Sequence, residues 1–290
     1  MSEQTVDALL RAATARLAVA GVGSPAFDAA ELLALTLGTT RSTLVGSAIV
    51  PSGVLPGFDA LLARRESREP LQHLTGVAGF RYTELAVGPG VFVPRPETEV
   101  LAGWAVALAG GIIESGRPAV VVDLCTGSGA VALSVATEVP GAQVHAVELD
   151  GAAHGWALRN LMGSGVDLRQ GDMADAFPDL DGSVDVVVAN PPYIPWEAYE
   201  SVAPEVRDHD PALALWSGDD GLDAMRVVEQ VAARLLVPGG SVGAEHADVQ
   251  GEAAPEVFRR TGRWVDVRDH EDLARRPRFV TARLAPDLKD

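Results

Sequence analysis

The tetrapeptide Asn190-Pro191-Pro192-Tyr193 follows the apolar run VDVVVA, and its residue types suit one kind of chemistry. Moving a methyl group from a sulfonium to a nitrogen requires the lone pair in line with the departing sulfur, about 3 Å from the methyl carbon. A planar amide or aromatic NH2 is a weak nucleophile. Acceptors that grip its hydrogens therefore help most as positive charge develops on nitrogen. Asn190 offers a side-chain oxygen. Two consecutive prolines lack N–H donors and stiffen the turn, so a carbonyl near Pro191 can face inward as a second acceptor. Tyr193 can then pack on the flat group. No strong base is required, because the proton can leave to solvent once the sulfonium charge is discharged. The plainer reading, a Pro-Pro turn capped by asparagine, loses ground because a second motif stands upstream.

In that motif, VDLCTGSGA, the residues Cys125, Thr126, Gly127, Ser128 and Gly129 join an apolar run to a helical pattern. Glycines there let backbone approach a ligand at the carboxyl end of a sheet. Two glycines alone are equally a tight turn, and the third glycine of the dinucleotide fingerprint is missing. Glu148 ends the next apolar run about 20 residues on, where a carboxylate can accept from both hydroxyls of a ribose. Asp150 is the second choice. Asp172, in the turn QGDM, is placed to accept from an adenine amino group with Met173 on the ring, although an aspartate there also makes turns. Glycine loop, ribose acid and adenine acid together describe an adenosine pocket without a pyrophosphate-binding helix.

The elements that must position these groups alternate from residue 118 onward. AVVVDL, QVHAVEL, VDLRQGD, VDVVVAN and SVGAEH read as strands; AVALSVATEV, AAHGWALRNLM and GLDAMRVVEQVAARLL read as helices, the last closed by Pro238-Gly239-Gly240. Such alternation implies an α/β fold with a parallel sheet covered on both faces. WVDVRDH and RFVTARL are too close for a crossover helix and must pair as an antiparallel hairpin at the C-terminal edge. That is the Rossmann-like sheet of class I S-adenosylmethionine-dependent methyltransferases, unlike that of dinucleotide dehydrogenases. Upstream, helices are expected at 3 to 20, from Pro25 after a Ser24 cap, and at 55 to 69. Residues 1–76 thus form a small helical domain without a titratable cluster, 77–95 a β-hairpin linker ended by Pro94 and Pro96, and 96–290 the catalytic domain. Glu97 and Glu99 fall in the first turn of the next helix, where carboxylates suit the dipole.

Composition bounds the rest. A chain of 290 residues with 47% hydrophobic and 22% charged residues is ordinary globular material, long enough for two cores. A lone cysteine, Cys125, cannot form an internal disulfide, and the N-terminal stretch has no basic leader with an apolar core, so a cytoplasmic location is expected. A net charge of −17 with a single lysine, Lys289, disfavours binding to a phosphate backbone. Arg64, Arg65 and Arg68 make a local basic patch that, on a helix, reads as a solvated face. His73 and His246 stand alone and read as hydrogen-bonded structural residues. No Cys/His cluster has metal-ligand spacing.

The motif NPPY at the end of a fourth strand is similar to that of amino-methyltransferases acting on planar nitrogens, among them DNA adenine methyltransferases. REPLQHLTG (68–76), FVPRPETE (92–99) and GAEH (243–246) narrow the resemblance to the HemK/PrmC family, over about residues 1 to 285. The resemblance implies an enzyme that methylates the glutamine of the Gly-Gly-Gln loop in class I peptide chain release factors. A monomer is expected, and the helical domain, which lacks catalytic residues and is tethered to the hairpin, is expected to recognise the substrate protein. The resemblance implies S-adenosylmethionine as donor, contacted by residues 125–129, Glu148 and Asn190. It also implies that Asn190, Pro191, Pro192 and Tyr193 grip the glutamine amide, with Phe92 bordering the methyl-transfer pocket. Neither a membrane nor direct nucleic-acid contact is expected. Two positions depart from the family: Cys125 stands where glycine is common, and Met173 where some members carry an aromatic residue. The thiol reads as packing. The rivals are a nucleic-acid amino-methyltransferase, which NPPY alone allows, and a non-catalytic S-adenosylmethionine-binding factor.

Overall fold

The computed structural model describes residues 4–46 and 48–286. Its chain forms two compact units. One takes in the chain up to Val77 together with Val87–Pro89 and Ala203–His209; the other holds Ala78–Ala86, Gly90–Val202 and the chain from Asp210 onward. The hairpin strands Val77–Phe80 and Thr83–Ala86, expected within the linker 77–95, fall almost wholly in the larger unit.

The smaller unit is helical: Val6–Val19 (α1), Pro25–Leu37 (α2), Leu55–Glu66 (α3) and the short Leu71–Thr75 (α4). Its core is built from apolar residues at helical spacing, among them Leu17, Leu32, Leu33, Phe58 and Leu62. α1 starts at Val6 because Thr5 caps it, accepting from the Ala8 N–H at 3.3 Å; Glu3, where a longer helix was expected to begin, lies outside the described residues. α3 ends three residues short of expectation, and Arg68 beyond it takes a left-handed φ of 70°. Of the three arginines expected as a solvated face, only Arg64 is exposed. Arg65 is buried and bonds Asp28 at 2.8 Å, and Arg65 and Arg68 both reach Glu205 in the short helix Pro204–Arg207 (α8), while Arg64 pairs with Glu69. α3 turns Arg65 inward, and Asp28, itself buried, supplies the counter-charge that makes this tolerable.

In the larger unit, Glu99–Glu114 (α5) precedes the sheet, with Glu97 in a single 3-10 turn, Pro96–Thr98, just before it. The sheet strands are Val120–Leu124 (β1), Gln143–Glu148 (β2), Asp167–Gln170 (β3), Val184–Ala189 (β4), Leu236–Glu245 (β5), Trp264–Glu271 (β6) and Pro277–Leu284 (β7). Helices Ala130–Glu138 (α6), Gly151–Asn160 (α7), Asp223–Leu235 (α9) and Ala253–Arg259 (α10) connect them. The lateral order is β6-β7-β5-β4-β1-β2-β3, with β7 antiparallel to both neighbours and the other described pairs parallel. All six residues of β4 are buried, as a central parallel strand requires.

Two details differ from expectation. α10 has no counterpart in the periodicity. Pro238-Gly239-Gly240 also lies inside β5, where Val184 pairs with Leu236 but Val186 with Ser241. The extra residues bulge out of the ladder, and a Cβ at Gly240 would stand 2.9 Å from the Val237 carbonyl.

Candidate active site

The sheet order reverses at β1, with β2 on one side and β4 on the other, and ligands of open α/β sheets bind at the carboxyl ends beside such a switch. Register aligns the candidates there. Leu124 pairs with both Val147 and Ala189, so Cys125, Glu148 and Asn190 each lie one residue beyond the same row. Read across the strands, the row runs Asn190, glycine loop, Glu148, then the turn of Asp172 after β3. With strands about 4.8 Å apart, Asn190 stands about 10 Å from Glu148.

Glu148 organises the cofactor side. Its Oε2 accepts from the Gly127 N–H and its Oε1 from the Asp150 N–H, both at 2.8 Å. Each carboxylate oxygen retains a further lone pair for a ribose hydroxyl. Asp150 is occupied otherwise: its side chain caps α7, accepting from the Ala152 and Ala153 N–H groups, whereas Glu148 is the carboxylate bonded to the glycine loop. Gly127 takes a φ of 58°, and no atom lies within 4 Å of where a Cβ would stand, so backbone is open to a ligand there. Gly129, at φ 87°, is pressed against Leu161 instead and allows the loop to enter α6. Ser128 is buried, and its carbonyl accepts from Asn160 Nδ2 at 2.9 Å.

Cys125 also takes a left-handed φ, 60°, which explains why glycine suits this position. Its Sγ lies 3.4 Å from Met173 Sδ, and burial followed by repulsion from Glu148 pushes the thiol well above its ordinary range. A thiol so held is not a nucleophile. Asp172 turns the chain after β3, its side chain accepting from the Ala174 N–H at 2.9 Å, and it is exposed.

Asp123, which the sequence pattern does not single out, lies beneath the loop. It is 2% exposed and accepts from the Thr126 hydroxyl at 2.6 Å and the Ala132 N–H at 3.2 Å. Burial pushes its carboxyl up to about 7, with Glu148 adding to the rise and the two hydrogen bonds opposing it; burial raises Glu148 as well. Glu148 and Asp172 place acidic groups at the carboxyl end of the sheet, which suits a cationic ligand and repels a pyrophosphate.

On the acceptor side, Asn190 Nδ2 donates to the Thr98 hydroxyl at 3.3 Å, so the amide oxygen faces away from Thr98. Tyr193 donates its hydroxyl to Glu245 Oε1 at 3.2 Å. Glu245 is 1% exposed, and its Oε2 has no hydrogen-bond partner. Burial pushes this carboxyl up to about 7; the Thr98 hydroxyl draws it down, though no hydrogen bond closes on Oε2. Pro191 is buried, and the Tyr193 carbonyl is pinned by Gln250 Nε2 at 3.0 Å. Gly221 permits this, since a Cβ there would stand 2.3 Å from the same carbonyl. Phe92 is half-buried with the Arg95 guanidinium 4.9 Å over its ring, and Arg95 bonds Asp210 at 2.7 Å.

Thr98, Glu245, Asn160 and Gln250 were also missed as site residues. Thr98 and Glu245 lie in the segments FVPRPETE and GAEH, so the signal was present there without a role. Asn160 had none. It accepts from the Ala86 N–H at 2.8 Å and donates to the Ala86 and Ser128 carbonyls, tying hairpin to glycine loop. His246 is fully buried between the Ala247 carbonyl and Asp269. Among the described residues no group of three or more acidic, histidine or cysteine side chains is placed to hold a metal, and no helix is long and apolar enough to cross a membrane.

A family model described as the PrmC N-terminal domain matches residues 8–76, and one described as a methyltransferase domain matches 121–209. The release factor glutamine methyltransferase of Streptomyces coelicolor is 58% identical, over 94% of this chain and 96% of its own length. This chain belongs to the release factor glutamine methyltransferase family. A 4-amino-L-phenylalanine/4-methylamino-L-phenylalanine methyltransferase from Streptomyces pristinaespiralis is 48% identical over a shorter stretch, 73% of this chain and 72% of its own. The catalytic domain of hMettl16, solved with the MAT2A 3'UTR hairpin 6, superposes with a TM-score of 0.54 at 12% identity over 69% of this chain and 75% of that one. At that identity the likeness extends to the fold alone.

Proposed function

We propose that this chain methylates the side-chain amide nitrogen, N5, of the glutamine in the Gly-Gly-Gln motif of class I release factors, in the cytoplasm. S-adenosylmethionine, when bound, supplies a methyl carbon made electrophilic by its sulfonium. The carrying observation is Asn190 in one row with the glycine loop and Glu148 at the switch point of the sheet. Cys125 to Gly129, Glu148, Asp172 and Met173 hold the adenosine end. Asn190 Oδ1 and a carbonyl at Pro191 accept from the two amide hydrogens, which fixes the lone pair toward the donor and stabilises charge growing on nitrogen. Tyr193 and Phe92 wall the flat group. As the N–C bond forms, the C–S bond breaks and the extra proton passes to solvent.

The helical unit is assigned to recognition of the substrate protein. Ala203–His209 belongs to it, so the chain that leaves Tyr193 passes through the recognition unit before returning at Asp210.

Transfer of tritiated methyl from S-adenosylmethionine to purified release factor tests this reading. Label is expected, and it should vanish with Gln→Ala in the Gly-Gly-Gln loop; label that survives that change refutes it. Asn190→Ala should cost turnover at least about 100-fold with cofactor affinity little changed. The relative acting on 4-amino-L-phenylalanine favours a second acceptor, an aromatic amine, and that amino acid as a parallel acceptor separates the two.

A further inference from the structure

We infer that Trp196, stacked on Trp216 beside the gripping tetrapeptide, is a docking shelf for a basic side chain that the release factor carries near its Gly-Gly-Gln loop. The inference rests on the reading of Asn190-Pro191-Pro192-Tyr193 as the grip on the substrate glutamine. The chain leaving the tetrapeptide fixes the shelf. The Ile194 N–H donates to the Leu215 carbonyl at 2.8 Å, the Ser217 N–H to the Ile194 carbonyl at 2.9 Å, and the Trp196 N–H to the Gly218 carbonyl at 3.3 Å. Ile194 and Trp216 thereby pair as a parallel bridge. Residues Trp196–Ser201 then form a 3-10 turn. Its period of three eclipses positions i and i+3, so Trp196 and Tyr199 project on one side. Both stack on Trp216 there, with ring centroids at 5.4 and 5.5 Å. All three rings lie in the larger unit. Packing within the stack does not use up Trp196: one face lies on Trp216 at 17°, yet the residue is 56% exposed. An open tryptophan at a rigid turn marks an interaction surface.

Position and charge name the occupant. Trp196 follows Tyr193 by three residues, so its backbone stands within about 11 Å of the residue that walls the acceptor amide. A protein loop that brings a glutamine to Asn190 carries its neighbouring residues within that distance. The same turn holds Glu197 and Glu200, also three apart, and Asp219 follows the glycine whose carbonyl accepts from Trp196. All three carboxylates are exposed, and among the described residues none of them pairs with a cation. A guanidinium or ammonium over Trp196 gains the ring quadrupole, for which tryptophan is the best of the aromatic residues, together with the carboxylates beside it. Exposed rings also serve as platforms for nucleic-acid bases, but the same carboxylates repel the phosphates that would accompany them. A basic protein segment is the occupant that satisfies both ring and charge.

The test uses the full-length enzyme with release factor and S-adenosylmethionine. Trp196→Ala should raise KM for release factor about 10-fold, with kcat and cofactor Kd within about twofold. Trp196→Phe keeps a ring and should recover most of the loss. Changing to glutamine the basic residues of the release factor within about five positions of the Gly-Gly-Gln motif, the reach of an arginine over that span, should raise KM similarly. Trp196→Ala should then add little, because the two changes remove one contact. Wild-type KM should climb with salt, and Glu197→Gln combined with Glu200→Gln should raise KM at low salt and flatten the climb. An unchanged KM in Trp196→Ala, multiplying losses with the altered release factor, or a salt dependence untouched by the two glutamines would each overturn the inference. So would a single-stranded RNA oligonucleotide that inhibits transfer by wild type but not by Trp196→Ala, since the stack would then be a platform for bases. The two levels separate cleanly. If wild type does not label release factor, the reading of the site fails; if it labels with a KM that Trp196→Ala leaves alone, only the shelf fails.

Discussion

Asp123 carries the most quantitative consequence of this site. Its carboxyl is buried under the glycine loop and pushed from an ordinary 3.8 up to about 7. In the unfolded chain the group ionises near its ordinary value, so between these limits the folded state binds more protons and stability falls as pH rises. The contribution is fully present below about pH 4 and is gone once pH passes the folded value near 7. Between pH 5 and pH 8 the loss is about 3 kcal/mol, from about 1.4 kcal/mol for each tenfold change in proton affinity.

Asp123→Asn removes the titration. The asparagine oxygen can still accept from Thr126 and Ala132, while its NH2 must find a partner, a cost that does not vary with pH. The diagnostic is therefore the slope. The stability of the variant relative to wild type should rise by about 3 kcal/mol from pH 5 to pH 8, and the parallel titration of Glu245 cancels because both proteins share it. Urea unfolding followed by tryptophan fluorescence measures this, since all five tryptophans lie in the larger unit. Parallel pH–stability curves would refute the burial argument.

Glu148→Gln places a donor against the N–H of Gly127 or Asp150 and should weaken S-adenosylmethionine binding about 10- to 100-fold by calorimetry; unchanged affinity would remove Glu148 from the pocket. Asn160→Ala deletes the three hydrogen bonds to Ala86 and Ser128 and should destabilise the larger unit by about 2–4 kcal/mol, read as a lower urea midpoint; a change within experimental error would mean that the tie contributes nothing.

What the sequence determined by itself is local. Apolar runs and punctuation placed β1 to β7 and most helices, because period and turn chemistry act over neighbouring residues. Asn190-Pro191-Pro192-Tyr193, the glycine loop and Glu148 were legible because each carries its chemistry within a few positions of a strand end. Only the tertiary structure decided the rest. The lateral order that sets β4 against β1 brings Asn190 into the row of Cys125 and Glu148, and strand order is a non-local choice. Thr98 and Glu245 are 92 and 55 positions from Asn190, and only the fold brings the turn before α5 within hydrogen-bond reach of Asn190 and the end of β5 within reach of Tyr193. Arg65 looked solvated in sequence and is buried in fact, since a charge is stable inside when a distant partner, Asp28, meets it there. Patterns read along the chain report propensity, whereas the pairing of polar groups across it is settled by packing.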